Sequence, residues 1–173
     1  MQFYSGFSLK NEEYLFDKYL NRSAYCVSGF SYGAIKAFNY AKEQLASGKR
    51  VDTLQLLSPA FFQTKDTKFK RLQMLSHSKD RLQYMKHFID SCFDPYEKKI
   101  VEFKKSTSEE LDELLSYEWD LEELQKLVAK GVRIEVYLGG KDKIIDVEGA
   151  RELFLEVASV TYIKEANHFL QLN

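Results

Sequence analysis

The chain has 173 residues, 45% of them hydrophobic and 29% charged, with a formal net charge of −1. That length suits one domain with a sizeable core, and the balanced charge argues against a nucleic-acid binder, which would carry a strong basic excess. The two cysteines, Cys26 and Cys92, exclude a disulfide framework, and no secretory leader or membrane-spanning apolar run is present, so a cytoplasmic, reduced protein is expected.

Residues 1–4 read as a very short strand halted by Ser5-Gly6. Residues 11–20 read as a helix with Tyr14, Leu15, Tyr19 and Leu20 on one apolar stripe. Residues 24–28 (AYCVS) are a short apolar run bounded by Gly29, which suits a buried strand and a buried Cys26 thiol. A helical composition runs from Tyr32 to about Ala46 and stops at Ser47-Gly48. Residues 51–58 form the next strand, ended by Pro59. The stretch 61–119 breaks this rhythm: it has no strand-like run of note, and Ser106-x-x-Glu109 and Thr107-x-x-Glu110 are overlapping capping boxes that open a helix. Residues 132–138 alternate β-formers up to Gly139-Gly140, residues 147–157 form a helix with Asp146 at its N-cap, and residues 160–163 are a last strand. Alternating strands and helices imply right-handed crossovers and a parallel sheet. The expected fold is therefore α/β, a single domain over 1–173 with about five parallel strands. The helical insertion 61–119, before the fourth strand, is expected to cap the carboxyl ends of the sheet, where ligands bind in such folds.

Gly29-Phe30-Ser31-Tyr32-Gly33 is a Gly-x-Ser-x-Gly elbow with a strand before it and a helix after it. In that setting the serine occupies a strained junction, and the glycines let the helix pass close to neighbouring strands. Ser31 is the candidate nucleophile. The acid is expected just past the fourth strand, where Gly139-Gly-Lys-Asp142 places a carboxylate able to accept a histidine Nδ1–H. Asp146 is its rival, but helix capping already accounts for Asp146. Of the three histidines only His168 follows the last strand, completing the chain order Ser, Asp, His. His77 and His87 fit no motif and are expected on the surface. The amides of Tyr32, just after the nucleophile, and of Phe7, in the turn after the first strand, are candidate oxyanion donors. No metal or other cofactor is expected.

These motifs resemble a trimmed α/β hydrolase, with Ser5-Gly6-Phe7 matching the oxyanion His-Gly-x, GFSYG the elbow, GGKDKIID the acid loop and EANHF the histidine. The brevity, the helical cap and the phrases FYSGF, VSGFSYGAIKA, FKRLQ, KGVRIEV and NHFLQ are similar to the small BioV-type pimeloyl-acyl carrier protein methyl ester esterases of biotin synthesis. The resemblance implies a carboxylesterase that removes the methyl group from carrier-bound pimeloyl methyl ester. A general short-chain esterase or thioesterase, or a non-catalytic carrier-binding relic, are the alternatives. The pattern departs from the family in having Ser5 in place of the histidine. Ser31 also follows Phe7 by only 24 positions, too few for the additional strand and helix usually found there. No helix-length segment follows His168, so one sheet face is expected to be thinly covered and apolar, and either to invite homodimerisation through residues 132–138 and 160–163 or to be covered by cap residues folded back over it.

From residue 62 to 105 there are eleven Lys/Arg against six Asp/Glu, and from 106 to 125 eight acids and no base. A basic cap suits an acidic acyl carrier protein as partner, and the densest cluster, Lys68, Lys70, Arg71, Lys79 and Arg81, is its expected docking surface.

Overall fold

The computed structural model describes all 173 residues. In chain order the elements are β1 (Gln2–Tyr4), β2 (Leu9–Lys10), a 3-10 helix (Glu12–Phe16), β3 (Cys26–Phe30), α1 (Tyr32–Ala46) and β4 (Thr53–Leu57). They continue with α2 (Thr67–Lys79), α3 (Arg81–Phe93), β5 (Glu102–Phe103), α4 (Ser108–Ser116), α5 (Leu121–Ala129), β6 (Arg133–Gly139), α6 (Val147–Leu155) and β7 (Ser159–Ile163). Five strands pair in the order β1-β3-β4-β6-β7, every neighbour parallel. This is the α/β architecture the sequence implies, with α2 to α5 inserted between β4 and β6.

Side-chain alternation divides the sheet into two unlike faces. Val27, Leu54, Leu56, Ile134, Val136 and Leu138 point to one side, where they form a single apolar core with Ile35, Phe38, Leu115, Trp119, Leu124 and Phe154 from the helices. The other face is apolar only near the carboxyl ends of the strands. There Phe30 and Leu57 pack with Phe16, Leu20, Ile89, Phe93 and Phe169. Toward the amino ends that face carries Ser28, Gln55 and Glu135 in register. Gln55 accepts from the Ser28 hydroxyl at 3.0 Å and donates to Glu135 at 2.9 Å.

This polar row corrects two sequence expectations. The open face is not an apolar patch, because Arg133, Glu135, Ser159 and Thr161 supply its β6 and β7 side chains. Nor do residues 11–20 form a continuous helix. Gln55 donates to the Tyr19 carbonyl at 3.0 Å and accepts the Asn21 amide at 2.8 Å, drawing the backbone across the sheet. Only the 3-10 helix remains, with Phe16 and Leu20 buried beneath it and Tyr14, expected on the apolar stripe, 47% exposed.

The insertion's helices start where short acceptor side chains precede them. Asp66, Asp80 and Asp120 accept amides of the first turns of α2, α3 and α5, and Thr107 forms a reciprocal capping box with Glu110 at α4. Ser106, the other candidate cap, is instead buried with its hydroxyl against that of Ser8. The insertion also contains a strand that its sequence does not advertise. Exposed Glu102 and Phe103 pair antiparallel with Lys10 and Leu9, so the ladder rests on backbone groups and shows no hydrophobic pattern.

With its exposed strands polar, this face offers little apolar area to drive pairing. Sedimentation at micromolar concentration is expected to give one 20.3 kDa species. A concentration-dependent doubling would locate association elsewhere on the molecule.

Candidate active site

The elbow is built by close backbone approach. A Cβ on Gly29 would lie 2.2 Å from the Gly33 carbonyl oxygen, and one on Gly33 would lie 2.0 Å from that of Tyr4. Only glycine lets α1 begin so tightly against β3 and against the chain leaving β1. Between them Ser31 adopts φ 53° and ψ −117°, a strained conformation for a residue with a side chain. Three backbone bonds hold it there: its amide donates to Leu57 O at 2.9 Å, and its carbonyl accepts from Ala34 N–H at 3.0 Å and Ala60 N–H at 3.1 Å.

Three loops at the carboxyl ends of the strands then converge. His168 Nε2 lies 3.0 Å from Ser31 Oγ, and His168 Nδ1 lies 2.6 Å from Asp142 Oδ2. The histidine and the Asp142 side chain are fully buried, and Ser31 is 5% exposed. A carboxylate can only accept, so Nδ1 carries the proton and Nε2 is left to accept from the serine hydroxyl. The other Asp142 oxygen, Oδ1, accepts the amides of Ile144 and Ile145 at 2.7 and 3.3 Å, which fixes the carboxylate plane. Asp146 is occupied elsewhere, accepting Gly149 N–H at 3.1 Å and the Thr64 hydroxyl.

Sequence reasoning placed Gly139 and Gly140 only as strand terminators. They also seat the acid loop on the histidine loop, since a Cβ on either would meet a carbonyl oxygen of Asn167 or Lys164 at 2.4 Å. Asn167 is a further residue missed. Its amide donates to Phe93 O at 2.7 Å and to Gln171 Oε1 at 2.8 Å, closing the loop that presents His168 and tying it to the end of α3.

The two candidate oxyanion amides, Phe7 N–H and Tyr32 N–H, donate to no protein group. Their rings meet edge-on, with centroids 6.4 Å apart. The Tyr32 hydroxyl donates to Glu113 at 2.6 Å, and burial followed by this bond pushes its pKa well above the usual tyrosine value. Beside Phe7, between α2, α3 and α4, lies a cavity of about 170 Å³. Phe7, Phe62, Phe88, Leu111, Leu115 and Ile144 supply its apolar walls, and Lys143 and His87 are among its few polar ones.

The remaining predicted residues divide. Lys68, Lys70, Arg71 and Lys79 lie along α2 without an ion-pair partner, and Lys68, Arg71 and Lys79 are exposed. Arg81 is spent on structure, donating to the Ser106 carbonyl. His87 is exposed as expected. His77 is not: it is 5% exposed, packed between the rings of Phe7 and Tyr84, and burial followed by repulsion from Arg81 lowers its pKa. Its helix turns it inward even though its neighbours in sequence are polar.

No family model and no curated protein matches this sequence. Solved structures do. A bromoperoxidase from Bacillus anthracis matches at TM-score 0.63 and 14% identity, over 83% of this chain and 60% of its own. The carboxylesterase CesB from Bacillus subtilis matches at TM-score 0.57 and 16% identity, over 96% and 62%. A naproxen esterase from Bacillus subtilis matches at TM-score 0.54 and 17% identity, over 85% and 54%. Likeness at such identity shows the α/β-hydrolase fold. The chain spans little more than half the length of these structures.

Asp142→Asn should cost about 10⁴ in kcat toward a p-nitrophenyl ester, because an amide can donate to the ring and favours the wrong tautomer. Asp146→Asn keeps a capping oxygen and should leave kcat within about twofold, with a stability change under about 1 kcal/mol. Steady-state kinetics and urea denaturation of the two variants would check both, and comparable kcat losses would mean that the acid is not Asp142.

Proposed function

We propose that the chain is a serine carboxylesterase that cleaves the methyl ester of a pimeloyl group carried on an acyl carrier protein. The observation that carries the esterase reading is the buried hydrogen-bond chain Ser31–His168–Asp142 beside two unpaired amides.

In this reading His168 Nε2 takes the hydroxyl proton as Ser31 Oγ attacks the ester carbonyl carbon. Asp142 stays ionised and stabilises the imidazolium through Nδ1–H. Negative charge collects on the former carbonyl oxygen, and Phe7 N–H and Tyr32 N–H are the donors available to it. Because these amides are fixed before the charge forms, little reorganisation is needed, and one such donor is worth roughly 10²–10³ in kcat. Collapse of the tetrahedral intermediate expels methanol, protonated by His168, and leaves an acyl-serine. Water then attacks the acyl carbon with His168 again as base, freeing the carboxylic acid and restoring Ser31.

The finer assignment rests on the sequence resemblance and agrees with the cavity. A volume of about 170 Å³ is close to the roughly 150 Å³ engineered void that accepts benzene, so it has room for a short acyl chain. Each methylene buried against Phe62, Phe88 and Leu115 contributes about 0.8 kcal/mol. The four unpaired cations on α2 suit an acidic protein at the other end of that chain.

Incubation with pimeloyl-carrier protein methyl ester, followed by mass spectrometry, should show loss of the methyl group with the thioester intact. Cleavage at the thioester instead would make the protein a thioesterase. Ser31→Ala should reduce turnover by about 10⁴–10⁶ and abolish labelling by a fluorophosphonate. A wild-type protein that does not label would indicate a non-catalytic fold.

Charge reversal at Lys68, Arg71 and Lys79 together should raise KM for the carrier-bound ester by roughly an order of magnitude through slower encounter. The same triple variant should leave hydrolysis of a p-nitrophenyl ester unchanged. Equal losses on both substrates would place these residues outside carrier recognition.

A further inference from the structure

Glu12 is fully buried, a costly place for a carboxyl group with so few partners. One of its oxygens accepts Gly6 N–H at 2.7 Å, and the other has no hydrogen-bond partner. No cation forms an ion pair with it. Such a group is seldom retained for stability alone.

What it holds is the turn that carries a candidate oxyanion donor. Gly6 is fixed on both sides: its amide by Glu12, and its carbonyl by Leu9 N–H at 3.2 Å. The Gly6 carbonyl and the Phe7 amide belong to one planar trans peptide and point in opposite directions. Drawing the carbonyl into the turn therefore drives Phe7 N–H outward from it. The rest of the turn is unfavourable unaided, since Ser8 and Asn11 both adopt positive φ, 58° and 62°, without being glycine. Gly6 is itself tightly confined, because a Cβ there would lie 2.9 Å from the Phe30 ring.

We propose that Glu12 is the positioning residue of the oxyanion hole, its buried carboxyl accepting Gly6 N–H and so fixing Gly6, whose own carbonyl, held by Leu9 N–H, sets the orientation of the next peptide and of Phe7 N–H. This rests on the reading of Ser31 as nucleophile. Burial pushes the Glu12 carboxyl up from its usual range, while the Gly6 amide pulls it back. The Gly6 amide needs only an acceptor, and the carboxyl oxygen facing it supplies one in either protonation state. The essential property is thus an acceptor oxygen and not a charge.

The test compares Glu12→Gln, which keeps the acceptor and removes the ionisable group, with Glu12→Met, which keeps the approximate volume and removes the acceptor. On a p-nitrophenyl ester Glu12→Gln should retain kcat within about threefold. Glu12→Met should lose on the order of 10² in kcat, the cost of one misplaced donor, with KM within about twofold. The affinity of a trifluoromethyl ketone that forms an adduct with Ser31 should fall in step with kcat. Unchanged kcat in Glu12→Met, or equal damage in both variants, would overturn the proposal. So would a loss carried by KM. If Ser31→Ala retained activity, the nucleophile assignment itself would fail, which is a separate outcome.

Should Glu12→Met not fold, amide NMR of the wild-type protein carries the test. The Gly6 amide should be protected from exchange, and the ketone adduct should shift the Phe7 and Tyr32 resonances. A Gly6 amide exchanging at loop rates, or a Phe7 resonance unmoved by the adduct, would overturn the proposal.

Discussion

The site depends on backbone passing backbone at distances that exclude any side chain. At Gly33 the start of α1 lies against the carbonyls of Tyr4 and Ser5, and at Gly139 the acid loop lies against those of Ala166 and Asn167. The first contact brings the turn holding Phe7 to the elbow holding Ser31, and the second brings the loop of Asp142 to that of His168. A methyl group at either position would have to displace main chain, which cannot rotate away as a side chain can. Both contacts lie at the carboxyl ends of parallel strands, so the sheet sets the spacing and the glycines allow its use.

Around these contacts the inserted helices support the catalytic loops as well as covering them. β5 pairs with β2 and holds the turn after β1, with Lys104 N–H adding a bond to the Ser8 carbonyl at 2.9 Å. Asn167 and Tyr96 bind the histidine loop to the chain after α3. Glu113 on α4 receives the hydroxyl of Tyr32. Ser31 follows Phe7 by only 24 positions, which hold the two-residue β2, a 3-10 helix and β3 but no α-helix behind the turn of Phe7. The insertion, together with buried Glu12, supplies the support that such a helix would otherwise give.

The parts legible in the sequence are those whose meaning is local or tied to a strand end. The elbow combines a strand, five residues and a helix in one continuous stretch. Asp142 and His168 could be ranked above Asp146, His77 and His87 because each directly follows a strand. The open face, expected to be apolar, is polar because Arg133 and Glu135 alternate with Ile134, Val136 and Leu138 along β6, so its side chains follow the strand period and not the overall hydrophobicity of the segment. What stayed hidden depends on partners far away in the chain. Glu102 and Phe103 become a strand only because Leu9 and Lys10 offer free backbone groups. Residues 11–20 have a helical pattern, but Gln55 claims their backbone. Glu12 reads as an ordinary surface acid until the turn at residues 6–9 folds over it.

These ties bear on how substrate reaches Ser31. An insertion hinged freely at its two ends could lift away as a rigid lid. Here that motion would break the β2–β5 ladder, the Asn167–Phe93 bond and the Tyr32–Glu113 bond together, along with the ion pairs of Lys36 and Lys42 to Glu110 and Glu123. It would also pull on the turn holding Phe7 and the loop holding His168, dismantling the arrangement it opened. The ion pairs are partly exposed and contribute little, but the buried Asn167–Phe93 bond does not have water as an alternative partner. Access by local side-chain movement at the cavity wall, where Phe69, Tyr84 and Phe88 are only partly buried, leaves every one of these bonds in place. The bonds from the insertion to the turn of Phe7 and the loop of His168 thus tie any movement of these helices to the integrity of the site.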